Sequence, residues 1–231
     1  MTHPHEPHNR PGLLSDFILG SQDGLVNVLG ILLGLAAATS DTRIIIIAAL
    51  AALGAESVSM GAVAYTSTLA RRKVYEAEVQ RELDEMRTLP DIEREEVRTI
   101  YREWGYTGDA LEAAVKEVES RPKMMLDLMM AFELKLAPVP EAQARNSALT
   151  VFAATVVGSL IPLLPFLVHG LSVVNSAYVA IVISGAALFG IGWYEAQTTI
   201  GSFWKSGFRM LLIGLGAGFA GYLIGHFASA L

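Results

Sequence analysis

The sequence predicts an all-α polytopic membrane protein, five transmembrane helices with a cytoplasmic helical domain inserted between the second and the third. Three observations carry this. Hydrophobic residues make up 52% of the 231 and mean hydropathy is +0.43, yet the charges gather in one central block. Five apolar runs, at about 16–38, 44–69, 148–168, 177–193 and 210–231, each come near the ~20 residues that span hydrocarbon as a helix. Between the second and third runs, apolar residues recur at the helical period among acidic ones. The organisation is therefore a tail over 1–14, helices 1 and 2 over 15–70, a domain over 71–143, and helices 3 to 5 over 144–231.

The first fifteen residues, MTHPHEPHNRPGLLS, are polar and proline-containing, with no apolar core of a signal peptide ahead of helix 1. His3, His5 and His8 read as part of a disordered tail rather than as a metal site. In helix 1, Asp16, Gly20, Asp23, Asn27, Gly30 and Gly34 recur at steps of three or four and share one face. Close helix packing explains the glycines, which form two GxxxG pairs with Gly24 and with each other. It does not explain Asp23, because an aspartate at mid-membrane costs roughly 2.5–3.5 kcal/mol and persists where function or a partner compensates it. Asp23 and Asn27 are thus read as a transport pathway.

Helix 2 begins with four isoleucines, becomes alanine-rich, and carries Glu56 and Met60 one turn apart on the same side. A carboxylate beside a thioether suits late first-row divalent ions better than Mg²⁺ or Ca²⁺. The domain reads as three amphipathic helices. The first runs to about Thr88; Pro90 starts the second; Gly105 and Gly108 mark the next break; the third is broken near Arg121–Pro122 and stops before Pro138 and Pro140. Glu82 and Glu85 are three apart, as are Glu93 and Glu96, so each pair projects from one helix face toward a shared ion. Met129, Met130 and Glu133 supply a third wall. A solvated acidic face would account for one such pair, but less well for two pairs followed by Met-Met-x-x-Glu.

Helix 3 contains Pro162 and Pro165, whose missing backbone bonds neighbours or water would satisfy. Glu195 at the end of helix 4 reads as interfacial, and Gly214, Gly218, Gly221 and Gly225 give helix 5 a close-packing stripe. Basic residues set the orientation. Arg71, Arg72, Lys73, Arg145, Lys205 and Arg209 fall on one side and only Arg43 on the other, so the N-terminus and the domain are expected in the cytoplasm. The net charge of −6 argues against nucleic acid and for a cationic ligand. Without cysteine there are no disulfides, no thiolate zinc sites and no cysteine nucleophile. No Gly-rich phosphate loop and no resident cofactor are expected.

These residues resemble the vacuolar iron transporter family, from Ser15 to the end of the chain. The resemblance rests on SQDGLVNVLGILLG in helix 1, SMGAVAY in helix 2, QRELDEM, SLIPLLPFL in helix 3 and SGFRMLLIG in helix 5. It implies a transport aspartate at Asp23, a pathway methionine at Met60, and cytoplasmic metal ligands at Glu82, Glu85, Glu93, Glu96, Met129, Met130 and Glu133. It also implies a homodimer with two copies of helix 1 lining a central pathway, and proton-coupled export of Fe²⁺, or of Mn²⁺, from the cytosol. Many members carry a Gly-Glu pair where this chain has Val63 and Ala64, and Glu56 is the nearest candidate to replace that carboxylate.

On this reading the protein is not an enzyme. The carboxylates concentrate hydrated metal, the methionines sharpen selection toward Fe²⁺ among Fe²⁺, Mn²⁺, Co²⁺ and Zn²⁺, and Asp23, Asn27, Glu56 and Met60 carry the ion through the bilayer, with proton and metal competing for the same carboxylate. Two other classes compete. A membrane-anchored di-iron oxidase would want Glu-x-x-His pairs, and there is no histidine between His8 and His169. A metal sensor that does not transport would leave the charges inside helices 1 and 2 unexplained. A bacterial inner membrane is the expected location.

Overall fold

A computed structural model describes residues 11–199 and 201–229; the tail histidines His3, His5 and His8 lie outside them. The regular structure among the described residues is all helical, with no strand. Eight helices follow in order: α1 (Pro11–Ala38), α2 (Thr42–Thr88), α3 (Pro90–Glu103), α4 (Gly108–Glu119), α5 (Pro122–Leu128), α6 (Glu141–Leu163), α7 (Val173–Thr198) and α8 (Phe203–Ala228). Five of them, α1, α2, α6, α7 and α8, are long and apolar enough to cross a membrane. The chain divides into two compact units, one of residues 1–65 with 145–231, the other of 66–144.

Boundaries depart from the sequence reading at two places. The first helix begins at Pro11, inside the stretch read as tail, where a proline suits the first helical position because its missing N–H would be unpaired there anyway. No break separates helix 2 from the first helix of the domain. α2 is one helix of 47 residues, ~70 Å long and more than twice the hydrocarbon thickness. Its residues to Tyr65 belong to the first unit and those from Thr66 to the second.

In the membrane unit α1 is the helix around which the others pack. Val28, Leu29, Leu32 and Leu33 of α1 join Ile45 and Ala49 of α2, Leu163 of α6, Phe166, and Val173 and Ala180 of α7 in one buried core. Glycines set the distances of approach. A Cβ on Gly20 would fall 2.5 Å from the Val151 carbonyl oxygen, and one on Gly158 would collide with the backbone of Ser21, so α1 and α6 meet backbone to backbone. Where α1 crosses α8, Gly30 and Gly34 meet Gly221 and Gly225, and a Cβ on Gly34 would lie 2.9 Å from the Gly221 oxygen. The C-terminal halves of the glycine stripes of helices 1 and 5 are therefore two sides of one contact, as small-residue packing in lipid predicts. Pro162 sits inside α6; a tight turn over Leu164–Leu167 follows, and the Pro165 carbonyl accepts from Ser176 Oγ at 3.2 Å. Glu195 on α7 pairs with Arg209 on α8 at 2.8 Å.

The second unit has its own core: Val97, Ile100 and Tyr101 of α3, Leu111, Val115 and Val118 of α4, Met125 and Leu128 of α5, and Met129, with Met86 of α2 packed against them. Two arginines tie α3 to α4. Arg98 donates from Nε and Nη2 to the two oxygens of Glu112, each at 3.0 Å, and Arg94 donates to Glu119. Gly105 takes φ +90° in the turn between them, a left-handed conformation that favours glycine.

Candidate metal site

Each wall of the acidic site comes from a different helix. Glu82 and Glu85 project from the end of α2, Glu93 and Glu96 from α3, which Pro90 restarts after a break of one residue, Leu89. The third wall is a π-helical turn, Met129–Glu133, continuing α5. One extra residue in this turn re-aims its side chains, and such turns are frequent at functional sites. Aromatic contacts hold it: Trp104 at the end of α3 meets Phe132 edge to face at 4.7 Å, and Tyr101 meets Trp104 at 5.1 Å.

The geometry brings three of the predicted ligands onto one point. Carboxylate oxygens of Glu82, Glu85 and Glu93 lie within 4.8 Å of one another, close enough to bind one cation together. Glu82 and Glu93 are 1% and 2% exposed, and each has a buried Oε2 with no hydrogen-bond partner. A buried carboxylate oxygen left unpaired is costly, so both side chains are arranged for a partner not supplied by their neighbours.

The electrostatics extend the group to five. Burial, then the charges of Glu96, Glu82, Glu133 and Glu85, pushes Glu93 up to about 7. Glu133 is also pushed up to about 7, by burial and by Glu96, Glu82 and Glu85. Burial raises Glu82 and Glu96 as well, each with a further push from Glu85. Without a cation this cluster holds protons above the ordinary carboxylate range, and a divalent ion would replace them.

The methionines are placed less simply. Met129 is fully buried and belongs to the apolar core, while Met130 is 3% exposed beside it in the π turn. Packing explains Met129 in full; the turn nevertheless keeps both residues on the segment that supplies Glu133. Two neighbours that the sequence reading did not single out border the cluster. Glu78 lies one turn before Glu82, and Arg81 is 3.0 Å from Glu78 and 3.7 Å from Glu85. The i, i+4 spacing of Glu78, Glu82 and the adjacent arginine was the signal for them.

In the membrane unit, the polar residues of α1 and α2 also converge. Asn27 Nδ2 donates to Asp23 Oδ1 at 3.2 Å, one turn back on α1, and to Glu56 Oε1 on α2. Glu56 Oε2 and the hydroxyl of the adjacent Ser57 are buried without hydrogen-bond partners. Asp23 and Glu56 are half-buried and Asn27 is exposed. Met60, half-buried, stands one turn further along α2, next to Gly61, where a Cβ would lie 3.3 Å from the Ala148 carbonyl of α6. Ala64 is buried at 7%.

The model of the VIT family matches residues 14–226. The chain is 32% identical over 210 residues to vacuolar iron transporter 2 of Oryza sativa subsp. japonica, covering 90% of this chain and 85% of that one. It is 30% identical over 227 residues to vacuolar iron transporter 1 of Arabidopsis thaliana, covering 97% and 90%. Protein CCC1 of Saccharomyces cerevisiae is 24% identical over 194 residues, covering 83% of this chain and 60% of the yeast protein.

Proposed function

The chain belongs to the VIT family, and on that premise we propose that it is a transporter, not an enzyme, carrying Fe²⁺, with Mn²⁺ as second cargo, out of the cytosol in exchange for protons. The observation that carries the reading is the set of convergent oxygens of Glu82, Glu85 and Glu93, two of these side chains holding buried, unpartnered atoms. An ion is captured there, with Glu96 and Glu133 adding charge and Met130, beside the core residue Met129, adding softness. In the membrane unit, Asp23, Asn27 and Glu56 form a polar group, followed by Met60, that offers a partly dehydrated ion alternative oxygens and a sulfur.

A homodimer accounts for Asn27. Asn27 is exposed on one protomer at a membrane-spanning position even while its amide nitrogen bonds Asp23 and Glu56, and a second copy of α1 opposite would enclose a pathway between the two. Arg71, Arg72 and Lys73 within α2, with Lys205 and Arg209 in the first turns of α8, support a cytoplasmic N-terminus. Our reading is a bacterial inner membrane; a vacuolar membrane, as in the plant relatives' names, would present the same cytosolic face to the domain. A di-iron oxidase is disfavoured because the cluster contains no histidine, and a sensor leaves Asp23, Asn27 and Glu56 without a role.

Uptake of Fe²⁺, Mn²⁺, Co²⁺ and Zn²⁺ into proteoliposomes, with and without a pH gradient, tests the proposal. Metal flux that a gradient accelerates is the expected result. Absence of flux for every ion, with the protein correctly inserted, would sink it.

A further inference from the structure

Of the domain's arginines, Arg81 is the one held against the acidic cluster. Arg94 and Arg98 are committed to hydrogen bonds with Glu119 and Glu112 between α3 and α4. Arg81 instead sits between Glu78 and Glu85, its Nη2 3.0 Å from Glu78 Oε2 and its Nε 3.7 Å from Glu85 Oε2. Neither contact is a well-aligned hydrogen bond: Glu78 Oε2 is buried and has no hydrogen-bond partner. The Arg81 charge reaches further, opposing the upward push on both Glu82 and Glu133. Its side chain is 54% exposed, so the guanidinium is loosely held and can move without disturbing the core.

We propose that Arg81 is a built-in counter-cation of the carboxylate cluster: held between Glu78 and Glu85, its charge opposes an arriving divalent metal and lowers the affinity for the cargo. The inference rests on the reading of this cluster as the metal-capture site. A metal ion and a guanidinium compete for the same Glu85 oxygens, and a positive charge left nearby repels the ion that replaced it. Glu78, three residues before Arg81 on α2, is the nearer anion and keeps part of the guanidinium charge from Glu85. A site so tuned can release its ion, as a capture site upstream of a membrane pathway has to do.

The test is calorimetric titration of the full chain with Mn²⁺ in detergent at pH 8, at low and high salt. Arg81→Gln is expected to bind Mn²⁺ roughly tenfold more tightly at low salt, with the gain shrinking at high salt, because the charge removed is partly solvent-screened. Arg81→Lys, which keeps the charge, should stay within about twofold of the parent. Arg81→Ala is the second neutral variant, so that a folding defect peculiar to one substitution does not decide the outcome. Glu78→Gln should weaken binding more in the parent than in the Arg81→Gln background, since in the parent it also offsets the Arg81 charge. Unchanged or weaker Mn²⁺ binding in both neutral variants overturns the inference, as does an equal cost of Glu78→Gln in the two backgrounds. Absence of Mn²⁺ binding by the parent chain would overturn the capture-site reading itself, and this inference with it.

Discussion

Metal capture by the carboxylate cluster should expel protons, and the amount follows from its titration. Glu93 and Glu133 are both pushed up to about 7, so near neutrality each carries its proton about half the time. An incoming Mn²⁺ must displace them, which gives ~1 proton released per ion at pH 7, ~1.8 at pH 6 and ~0.2 at pH 8. Apparent affinity should therefore climb ~10-fold per pH unit around pH 7 and flatten above pH 8. Calorimetry in two buffers of different ionisation heat reads the proton count directly, with the chain carrying Asp23→Asn and Glu56→Gln so that the membrane carboxylates are kept out of the balance. Glu93→Gln removes one contributor and should cut release at pH 7 to ~0.5.

The same shifts fix a sign for stability. Carboxyls raised in the folded state favour folding fully below their ordinary value of 4.5, and that contribution is lost as pH rises through about 7. The metal-free domain should thus melt at progressively lower temperature between pH 5 and 8, followed by Trp104 fluorescence, and Mn²⁺ should reverse the loss at pH 8. Heats of binding that are identical in the two buffers at pH 6 would refute this account, since the carboxylates would then already be ionised.

Three further outcomes are expected. Asp23→Asn should retain the fold but abolish metal flux in proteoliposomes, because the amide keeps the shape and hydrogen bonding of the side chain and loses its charge; normal proton-coupled flux would remove Asp23 from the mechanism. The double change of Met129 and Met130 to Leu conserves volume and apolarity while deleting the sulfurs, so Fe²⁺ and Co²⁺ binding should weaken while Mn²⁺ binding changes much less. Equal affinities before and after would assign both methionines to packing, the role that Met129 already fills in the core. Lys135 has φ 56°, left-handed backbone at the end of the π turn, so Lys135→Gly should stabilise the domain by ~0.5–1 kcal/mol in thermal or denaturant melts; a loss of stability would mean that the lysine side chain makes a needed contact.

The sequence carried the five spans because hydrophobicity over ~20 residues is a local property. It carried the Glu82–Glu85 and Glu93–Glu96 pairs for the same reason, since their spacing is one helical turn. The seamless passage of α2 from membrane to domain was not legible, because a change of solvent alters composition at Arg71 without altering helical backbone. Nor was the π turn at Met129–Glu133, since the extra residue leaves no signature in a run of helix-forming types. Arg81 was passed over because an arginine within an acidic helix reads as an ordinary i, i+4 partner until the third helix encloses the cluster.

Glu56 and Ala64 show how a departure from the family pattern acquires physical meaning. On sequence, Glu56 was the nearest replacement for the carboxylate absent at 64. The two positions are eight residues apart on one helix, ~12 Å along its axis and rotated by roughly 80°. Glu56 therefore does not restore a charge at the same point. Ala64 is buried, and a methyl there suits the close packing set by Gly61 against α6. Glu56 instead meets Asn27, which bonds Asp23 in turn, so its carboxylate joins the α1 pair one turn from Met60. Asp23 and Glu56 are thus joined through Asn27 across α1 and α2, whereas a carboxylate at 64 would stand two turns away from them.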